Sequence, residues 1–389
     1  MKKYNVAVIG VGVVGIEMLR ILKQRNFPLG NLKVFARSAR VIEVDGQKYS
    51  VEAVSPEGFE GIDIALFAGT EGEKGAAVTY AREAIKRGAV VIDNGADFRM
   101  DPKVPLVVPE VNAKDVNLIR NWFLAKKHRL EGRGLASDKP QGNGLASDGQ
   151  SHSQSHKGII ANPNCSTIQM VVALNPIYRK AGIKRIIVTT LQASSGAGKG
   201  AIDQLKDETV IIAAAGFENI HVNLENKVMP QQLSFNVFPH IGTFVDGDYS
   251  AGARTGYSAV AGYTNEEWKL VKETHKIMHD NNIKISATTV RVPVRTGHSE
   301  SVYIETEKHI SPEKARDIFS EAPGVLVIDD PGKNLYPMPK DVEGRDEVFV
   351  GRIRQDCFVK NGLWLWVVAD NLRKGAATNA IQIAEVLIR

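Results

Sequence analysis

The sequence predicts an α/β fold in two domains, the first built on a parallel β-sheet and the second of mixed α+β structure. In the N-terminal part, short runs of β-branched residues alternate with segments of helical period, which is typical of a parallel sheet. A glycine-rich turn joins the first predicted strand to the first predicted helix. The chain has 389 residues, 43% of them hydrophobic, which is enough to bury two cores.

The opening of the chain carries a nucleotide-binding pattern. The run 6–9 predicts a strand, and helical periodicity begins directly after the turn that follows it. That turn has G-x-G-x-x-G spacing and supplies the candidate cofactor contacts Gly10, Gly12, Val13, Val14 and Gly15. Glycines permit a tight turn and let backbone N–H groups approach a pyrophosphate at the helix N-terminus. The pattern therefore predicts a Rossmann-type dinucleotide-binding domain.

The turn after the second predicted strand indicates which dinucleotide is bound. The strand at 32–36 ends without the acidic residue that would bind a ribose 2′-hydroxyl, and Arg37, Ser38 and Arg40 follow instead. A cation beside a hydroxyl suits a 2′-phosphate, so the expected cofactor is NADP(H). The alternative is an ordinary solvated basic turn.

Two further strands supply loop residues with expected roles. The strands are predicted at 64–68 and 90–93, with helices near 13–25 and 73–88. Gly69 closes one strand beside the expected cofactor crevice and is a candidate nicotinamide or ribose contact. Arg99 follows the other in a loop, where a guanidinium can bind a phosphate in bidentate fashion. A surface salt bridge is the alternative for Arg99.

A cysteine stands where an apolar run gives way to a new helical pattern. Pro163 disfavours helix at Asn162, so the helix is expected to begin near Cys165, capped by Asn164 or Ser166. A helix N-terminus favours a thiolate and offers free backbone N–H groups, which with Asn164 would stabilise an oxyanion. These properties suit an acyl-transfer nucleophile; a small buried core cysteine is the alternative.

Several more segments follow in a fixed order. They are Asn-Pro-Asn-Cys-Ser-Thr-Ile-Gln at 162–169, Gln-Ala-Ser-Ser-Gly-Ala-Gly at 192–198, Asn-Glu-Glu-Trp-Lys at 265–269, Arg-Val-Pro-Val then Gly-His-Ser at 291–299, and Asp-Asn-Leu-Arg-Lys-Gly-Ala at 370–376. Each is modest alone, but in this order after a Rossmann opening they are specific. The chain resembles the aspartate-β-semialdehyde dehydrogenase family over nearly its whole length, apart from two insertions.

The resemblance implies roles for the matched residues. Substrate contacts would be Gln192 for the acyl group, Glu266 for the ammonium, Lys269 and Arg99 for the phosphate, and Arg291 for the α-carboxylate. On the cofactor side, Ser195 and Gly196 would lie in a flexible loop near the phosphates or the nicotinamide, and Asn371 would contact the nicotinamide carboxamide.

His298 is the expected proton-transfer residue among the nine histidines. It follows an edge-like strand, 288–294, and Gly297, which leaves room for close approach. A histidine of near-neutral pKa can take a thiol proton and later return one. Arg291 lies an odd number of residues earlier, so the two side chains converge only if Pro293 or Gly297 breaks the strand between them.

The predicted domain limits follow from these motifs. Residues 1–160 and 358–389 are expected to form the NADP-binding domain, completed by a closing helix at 374–388, and residues 161–357 the catalytic and dimerisation domain. A basic insertion at about 118–157, low in apolar residues, is expected to be disordered. A run around 244–262 also exceeds the family pattern and has no assigned role. Cys357 is expected to be a buried strand thiol.

Composition excludes several function classes. The segment 113–158 holds eight Lys and Arg against four Asp and Glu, a net of +4 out of the +5 of the whole chain, so basicity is local and does not indicate nucleic-acid binding. Two cysteines make no disulfide framework, and neither a signal peptide nor a membrane span is evident, so a cytoplasmic location is expected. His275 and His279 lack a third ligand, and no metal site is predicted.

The resemblance implies a homodimer or homotetramer.

The resulting hypothesis is reduction of L-aspartyl 4-phosphate to L-aspartate 4-semialdehyde by NADPH through a thioester on Cys165, the branch point toward lysine, methionine and threonine. The nearest alternative is N-acetyl-γ-glutamyl-phosphate reductase, whose acylated substrate needs no acidic partner such as Glu266. A third reading is a non-catalytic nucleotide-binding paralogue that uses the basic insertion for docking.

Overall fold

The computed structural model describes residues 2–69, 75–130, 158–218, 220–221, 224, 227–245 and 262–389, with side chains described only as far as 125 in the segment that ends at 130. The predicted disordered segment therefore lies largely outside the described residues, as does most of the run around 244–262.

The first domain is a seven-stranded sheet in the order β3-β4-β2-β1-β5-β6-β7. Its strands are β1 (Tyr4–Ile9), β2 (Leu29–Ala36), β3 (Arg40–Val44), β4 (Gln47–Ala53), β5 (Ile64–Phe67), β6 (Val90–Asp93) and β7 (Ile159–Ala161). All neighbouring pairs are parallel except β3 with β4. The strands predicted in this domain and the helices α1 (Val13–Gln24) and α2 (Ala76–Lys86) are confirmed.

The antiparallel pair β3 and β4 was not predicted. These strands are joined at Asp45 and Gly46, both at positive φ (51° and 77°), which is the conformation of a two-residue hairpin turn. Their residues are largely exposed, so the apolar runs that identify the other strands are missing here.

The second domain is a six-stranded mixed sheet in the order β11-β12-β13-β10-β8-β9. Its strands are β8 (Ile183–Gln192), β9 (Lys284–Arg291), β10 (His298–Thr306), β11 (Val325–Val327), β12 (Val348–Gln355) and β13 (Gly362–Ala369). The remaining helices are α3 (Pro109–Asn112), α4 (Asn117–Leu130), α5 (Cys165–Ala181), α6 (Lys199–Ala215), α7 (Asn265–Met278), α8 (Pro312–Ser320), α9 (Pro339–Val342) and α10 (Thr378–Ile388). The predicted edge strand is confirmed as β9, which ends at Arg291 rather than at 294.

The predicted C-terminal domain boundary at 357/358 is wrong. Strand β13 lies in the middle of the second sheet, paired on one side with β10 and on the other with β12. The chain therefore returns to the first domain only after β13. It does so through a π-helical turn at Arg373–Ala377, which contacts α1 and leads into α10. The apolar run Leu363–Ala369 would fit the core of either sheet. Which sheet it joins depends on strand pairing, so the sequence alone did not place the boundary.

Two smaller expectations are also corrected. The predicted disordered insertion does not begin at 118, because residues 117–130 form α4, whose Ile119 and Phe123 are buried in the core that contains α10. Cys357 is exposed in a turn after β12 rather than buried in a strand.

Candidate active site

Cys165 is the first residue of α5, directly after the short loop that follows β7. Asn164 caps this helix: its side-chain oxygen accepts the N–H groups of Ser166 at 3.1 Å and Thr167 at 3.2 Å. The expected cap and the position of the cysteine are thereby confirmed. Cys165 is half-buried at the junction between the domains.

The electrostatics of Cys165 differ from the expectation of an activated thiolate. Burial, followed by the negative charge of Glu266, raises the pKa of the Cys165 thiol to about 12, although Arg99 and Lys269 oppose this shift. The thiol is therefore protonated at neutral pH before ligands bind. Attack on a substrate requires a partner that accepts the thiol proton.

Glu266, in the first turn of α7, is the centre of a buried polar cluster. Its carboxylate accepts hydrogen bonds from Asn164 Nδ2 at 2.8 Å, Gln192 Nε2 at 3.2 Å and Lys269 Nζ at 3.3 Å. Burial alone would raise the pKa of Glu266, but Lys269 and the amide donors hold this pKa below its usual value. A fixed negative charge therefore lies beside the cysteine.

His298, the first residue of β10, is completely buried. Its Nδ1 accepts the backbone N–H of Ala193 at 3.0 Å, and its Nε2 has no hydrogen-bond partner within the described part of the chain. A Cβ added at Gly196 would lie 3.1 Å from His298 Nε2 and 3.4 Å from Arg291 Nη1. Burial and the Arg291 charge place the pKa of His298 well below its ordinary value, contrary to the expected near-neutral pKa.

Arg291 ends β9 and reaches the same place as His298. The strand stops there and the next begins at 298, with Gly297 at φ +94° between them, so the expected break exists and the two side chains converge. Arg291 Nη1 donates to Ala193 O at 2.5 Å, while its buried Nε lacks a partner among the described residues.

Arg99 is buried against the loop that carries the cysteine. Its guanidinium donates to Asn162 O at 3.0 Å, Asn94 O at 2.9 Å and Glu273 Oε1 at 3.0 Å. Glu273 also accepts the N–H of Asn164 at 2.7 Å. Sequence reasoning missed Glu273, although its position two helical turns after Glu266 on α7 indicates that both carboxylates face the cysteine loop.

The π-helical turn forms another wall of the site; the sequence motif marked this segment, but the turn itself was not predicted. A Cβ placed on Gly375 would lie 2.9 Å from the Cβ of Cys165, so only glycine fits at this distance. Asn371, just before the turn, accepts the N–H of Gly297 at 2.9 Å and donates to Ser195 Oγ at 2.9 Å. π-Helical turns are frequent at functional sites.

The glycine motif has the shape that a pyrophosphate requires. A Cβ on Gly15 would lie 1.9 Å from Gly10 O, and Gly10 has φ +101°, so both positions demand glycine. Gly12 is the N-cap of α1, no side chain caps the first-turn N–H groups, and nothing lies within 4 Å of a Cβ added at Gly12. Val13 and Val14 form that first turn.

The other candidate cofactor contacts lie at the same edge of the sheet. Gly69, at φ +88°, follows β5 beside Asn94. Arg37 and Ser38 are exposed after β2, and Arg40 Nη1 lies 3.3 Å from Ser38 Oγ. Carboxyl ends of parallel strands are where dinucleotides bind in such sheets. Gly69 and the residues that follow β2 therefore lie where a dinucleotide would bind.

Among the residues that the structure describes, no group of three or more His, Cys, Asp or Glu side chains is arranged to hold a metal ion. None of the helices that the structure describes has the length and apolar character needed to cross a membrane.

Comparison with known proteins assigns both halves of the chain. Residues 5–119 match the semialdehyde dehydrogenase NAD-binding domain, and residues 174–374 match the semialdehyde dehydrogenase dimerisation domain. The aspartate-semialdehyde dehydrogenase of Aquifex aeolicus is 49% identical over 99% of this chain and 98% of its own, and that of Bacillus subtilis is 43% identical over 98% and 97%.

Solved structures agree with the sequence comparison. A crystal structure of aspartate semialdehyde dehydrogenase II from Vibrio cholerae, complexed with ASA, covers 100% of this chain and 99% of its own, with a TM-score of 0.82 and 38% identity. The α/β fold, the nucleotide-binding domain and the dimerisation domain are thus shared with it. The chain belongs to the aspartate-semialdehyde dehydrogenase family of oxidoreductases.

Proposed function

We propose that this protein reduces L-aspartyl 4-phosphate to L-aspartate 4-semialdehyde with NADPH, through a thioester on Cys165. The observation that carries the proposal is the grouping of Cys165, at a helix N-terminus, with an ionised Glu266 and with Arg291, which interacts with both of their charges and lies beside His298. The product would serve lysine, methionine, threonine, isoleucine and diaminopimelate biosynthesis, and a cytoplasmic location goes with that role.

Recognition of the amino-acid end follows from two opposite charges. Glu266 is held as a carboxylate at the site, where it would bind the substrate ammonium. Arg291 has a buried Nε without a partner among the described residues, and a guanidinium binds an α-carboxylate well. An N-acylated substrate has no ammonium for Glu266, so the pair favours aspartyl phosphate over N-acetyl-γ-glutamyl phosphate.

The phosphate end would lie near the cations that face Cys165. Arg99 and Lys269 both favour the thiolate of Cys165, so each lies close enough to act on charge at the sulfur. Lys269 is partly exposed and would contact the phosphate, while Arg99 adds its charge from a buried position. Gln192, fixed between Thr190 and Glu266, would orient the acyl group.

The cofactor would lie along the nucleotide domain toward the cysteine. Gly10, Gly12 and Gly15 would hold the pyrophosphate, and Arg37 with Ser38 the 2′-phosphate of NADPH. Ser195, Gly196 and Asn371 would contact the nicotinamide end, where Ser195 and Asn371 are already hydrogen-bonded to each other. Bound NADPH supplies the hydride for reduction of the thioester.

Assembly as a homodimer would use the second sheet. In β8, Ile186 and Val188 belong to the core beneath α5, so Ile187 points to the opposite face, where it is 37% exposed. The aromatic pair Tyr303 and Trp364 also lies on that face. Such an apolar sheet face suits pairing with a second copy, and the matched domain is a dimerisation domain.

The proposal is tested by a phosphate-dependent assay in the oxidative direction. Aspartate semialdehyde and N-acetylglutamate semialdehyde are each offered with NADP⁺ and with NAD⁺. We expect NADP⁺ reduction with the first aldehyde alone, abolished without phosphate and in Cys165→Ala. Activity with the acetylated aldehyde would assign the other reductase, and silence with both, despite nucleotide binding, would indicate the non-catalytic paralogue.

A further inference from the structure

One face of α7 carries four charged residues at helical spacing. Glu266, Lys269, Glu273 and Lys276 are separated by steps of three, four and three residues, so their side chains lie along one side of the helix. The first two are the proposed contacts of the substrate ammonium and phosphate. The other two, farther along the helix, both bind the segment of the nucleotide domain that carries Arg99.

Lys276 holds the backbone of that segment. Its ammonium donates to three carbonyl oxygens, those of Arg99 at 2.7 Å, Asp101 at 2.8 Å and Val104 at 2.7 Å. An ammonium has three N–H donors, and three acceptors meet it here. The segment 99–104 consists of turns and irregular chain, with neither a strand nor a helix to fix these carbonyls. A single side chain of α7 therefore sets their positions.

These three hydrogen bonds take the place of water around a half-buried charge. Burial lowers the pKa of Lys276, and the negative charges of Asp101, Glu273 and Asp115 oppose this shift. The ammonium is compact and its donors diverge from one atom, so it suits three converging carbonyls, which the planar fork of an arginine does not. The arrangement is therefore specific for lysine.

Glu273 holds the side chain of Arg99 and links it to the cysteine loop. Its Oε1 accepts a hydrogen bond from Arg99 Nη1 at 3.0 Å, and its Oε2 accepts one from the N–H of Asn164 at 2.7 Å. Glu273 is 1% exposed, and the charge of Arg99 favours the Cys165 thiolate. Because the two bonds use two different oxygens, a carboxylate can make both, whereas an amide would turn a donor toward one of them.

We propose that Lys276 and Glu273 are positioning residues, together the Arg99 clamp, that hold Arg99 where its charge acts on the substrate phosphate beside Cys165. Lys276 fixes the main chain of the Arg99 segment and Glu273 fixes its guanidinium. A helix of the second domain thereby places a cation that belongs to the first. This inference rests on the proposed function, since it concerns the phosphate end of the substrate.

The first test removes the ammonium without altering Arg99. Lys276→Met keeps an unbranched side chain but has no donor for the three carbonyls. We expect the KM for phosphate in the oxidative assay to rise about 10-fold, because Arg99 is displaced, while the KM values for aldehyde and NADP⁺ stay unchanged. A general loss of stability would not select one substrate of three. A phosphate KM equal to that of the wild type would contradict the inference.

Lys272→Met is the matched control for this substitution. Lys272 lies on the same helix one turn earlier, and its ammonium stands 5.2 Å from the ring centre of Trp268. The same change there removes the same charge without taking a donor from the Arg99 segment, so the phosphate KM should stay at the wild-type value. An equal rise in both variants would mean that the charge of the helix attracts phosphate and that the clamp does not.

A double variant shows whether the effect passes through Arg99. In an Arg99→Gln background, Lys276→Met should weaken phosphate use no further, because no guanidinium is left to misplace. A second loss of the same size would show that Lys276 acts by another route and would exclude the positioning role.

Glu273→Asp tests the other half of the clamp without removing a charge. The carboxylate is withdrawn by one methylene, so it no longer reaches both Arg99 and Asn164. We expect kcat/KM for phosphate to fall about 10-fold. Wild-type kinetics in this variant would show that the bridge has no role in catalysis.

Glu208→Asp is the control for Glu273→Asp. Glu208 is also fully buried on a helix, and its two oxygens accept hydrogen bonds from Gln204 Nε2 and from the N–H groups of Leu233 and Ser234. These partners are not site residues, so kcat/KM for phosphate should stay unchanged. A loss equal to that in Glu273→Asp would assign both effects to stability and overturn the role of Glu273.

A measurement without turnover separates this inference from the proposed function. Phosphate bound beside Arg99 should slow the alkylation of Cys165 by iodoacetamide, with the exposed Cys357 as internal reference. Lys276→Met should need about 10-fold more phosphate for the same protection. If this holds while the oxidative assay is silent, the clamp stands and the proposed function fails.

The remaining outcomes count against the clamp. If the assay succeeds and phosphate protects Lys276→Met as well as the wild type, the proposed function survives and the clamp does not. If phosphate fails to protect the wild type, Arg99 holds no phosphate beside Cys165 and the inference falls.

Discussion

Glu266 acts on the nucleophile as well as on the proposed substrate. Its charge is held in the buried site by Asn164, Gln192 and Lys269, and it raises the pKa of the Cys165 thiol. A substrate ammonium that neutralises this carboxylate would remove part of that effect. Binding of the correct amino acid would thus favour the thiolate when it is needed, and protect an unliganded thiol from side reactions.

Replacing the charge of Glu266 tests this coupling. In Glu266→Gln the amide removes a negative charge near the sulfur, so the pKa of Cys165 falls and more thiolate is present at neutral pH. We expect alkylation of Cys165 by iodoacetamide to become several-fold faster, since one pKa unit is a factor of ten in thiolate, while the KM for substrate rises. The rate is followed by peptide mass spectrometry.

The second cysteine provides the control for that experiment. Cys357 is exposed and lies outside the site, so its alkylation rate serves as an internal reference. An unchanged ratio of the two rates would show that Glu266 has no influence on the thiol.

The sequence predicted these residues better than it predicted their electrostatics. The Asn164 cap and the approach of Arg291 to His298 follow from local rules about helix ends and strand breaks. The raised pKa of Cys165 and the lowered pKa of His298 could not be predicted, because burial and neighbouring charges from distant segments cause them. Glu273 was missed although its helical spacing from Glu266 indicated its position, because it lies outside the 265–269 segment on which the prediction rested.

At the scale of elements, the π-helical turn 373–377 packs directly against Cys165. It begins with Arg373, which is paired with Glu17 of α1, and Lys374 follows, fully buried and bonded to Glu110 at 2.6 Å. These ion pairs anchor the turn to the nucleotide domain, and Gly375 then passes Cys165 without room for a side chain. The turn is therefore a rigid support for the nucleophile.

Adding one methyl group at this turn should affect catalysis more than folding. Gly375→Ala places a Cβ 2.9 Å from the Cβ of Cys165, so the cysteine or the turn must shift. Small displacements of reacting groups are costly, and we expect kcat to fall at least about 10-fold. Thermal unfolding and circular dichroism measure the accompanying loss of stability.

A matched glycine separates the steric effect from the general cost of substitution. Gly332 lies in an exposed short helix, and its added Cβ would meet only Asp330 Oδ1, at 3.5 Å. Gly332→Ala is expected to keep full activity. If Gly375→Ala also keeps full activity, the close approach to Cys165 has no catalytic importance.

At the scale of the whole molecule, the chain crosses between the two sheets at the site itself. One crossing runs from β7 to α5 and carries Cys165; the other runs from β13 through the π-helical turn to α10 and carries Asn371. The sequence motifs marked both crossings, but the position of β13 depends on pairing with β10 and β12 and could not be predicted locally. Under the proposed function, cofactor and substrate would meet where these two crossings lie.

The core of the second sheet also holds a carboxyl that the proposed chemistry does not use. Glu300, two residues after His298 in β10, is fully buried, and both of its oxygens lack a hydrogen-bond partner in the described parts of the chain. Burial raises the pKa of Glu300 well above its usual value, with Gln169 on the cysteine helix opposing this. Glu300 therefore holds its proton to a higher pH in the folded chain than in the unfolded chain.

This carboxyl should make stability depend on pH in a defined direction. Below the ordinary carboxyl pKa, folded and unfolded chains are both protonated and Glu300 has no effect. As the pH rises, only the unfolded chain releases the proton, so the free energy of unfolding falls by up to about 1.4 kcal/mol per pH unit until the folded pKa is reached. Glu300→Gln removes this penalty while keeping the shape of the side chain.

We therefore expect Glu300→Gln to unfold in urea much like the wild type near pH 5 and to be increasingly more stable than it toward pH 8. The advantage is measured as the difference in unfolding free energy across that range. Glu52→Gln, an exposed carboxyl on β4, is the control and should show no such trend. A constant difference between Glu300→Gln and the wild type would mean that Glu300 is ionised in the native protein, and that the core beneath the active site stabilises its charge.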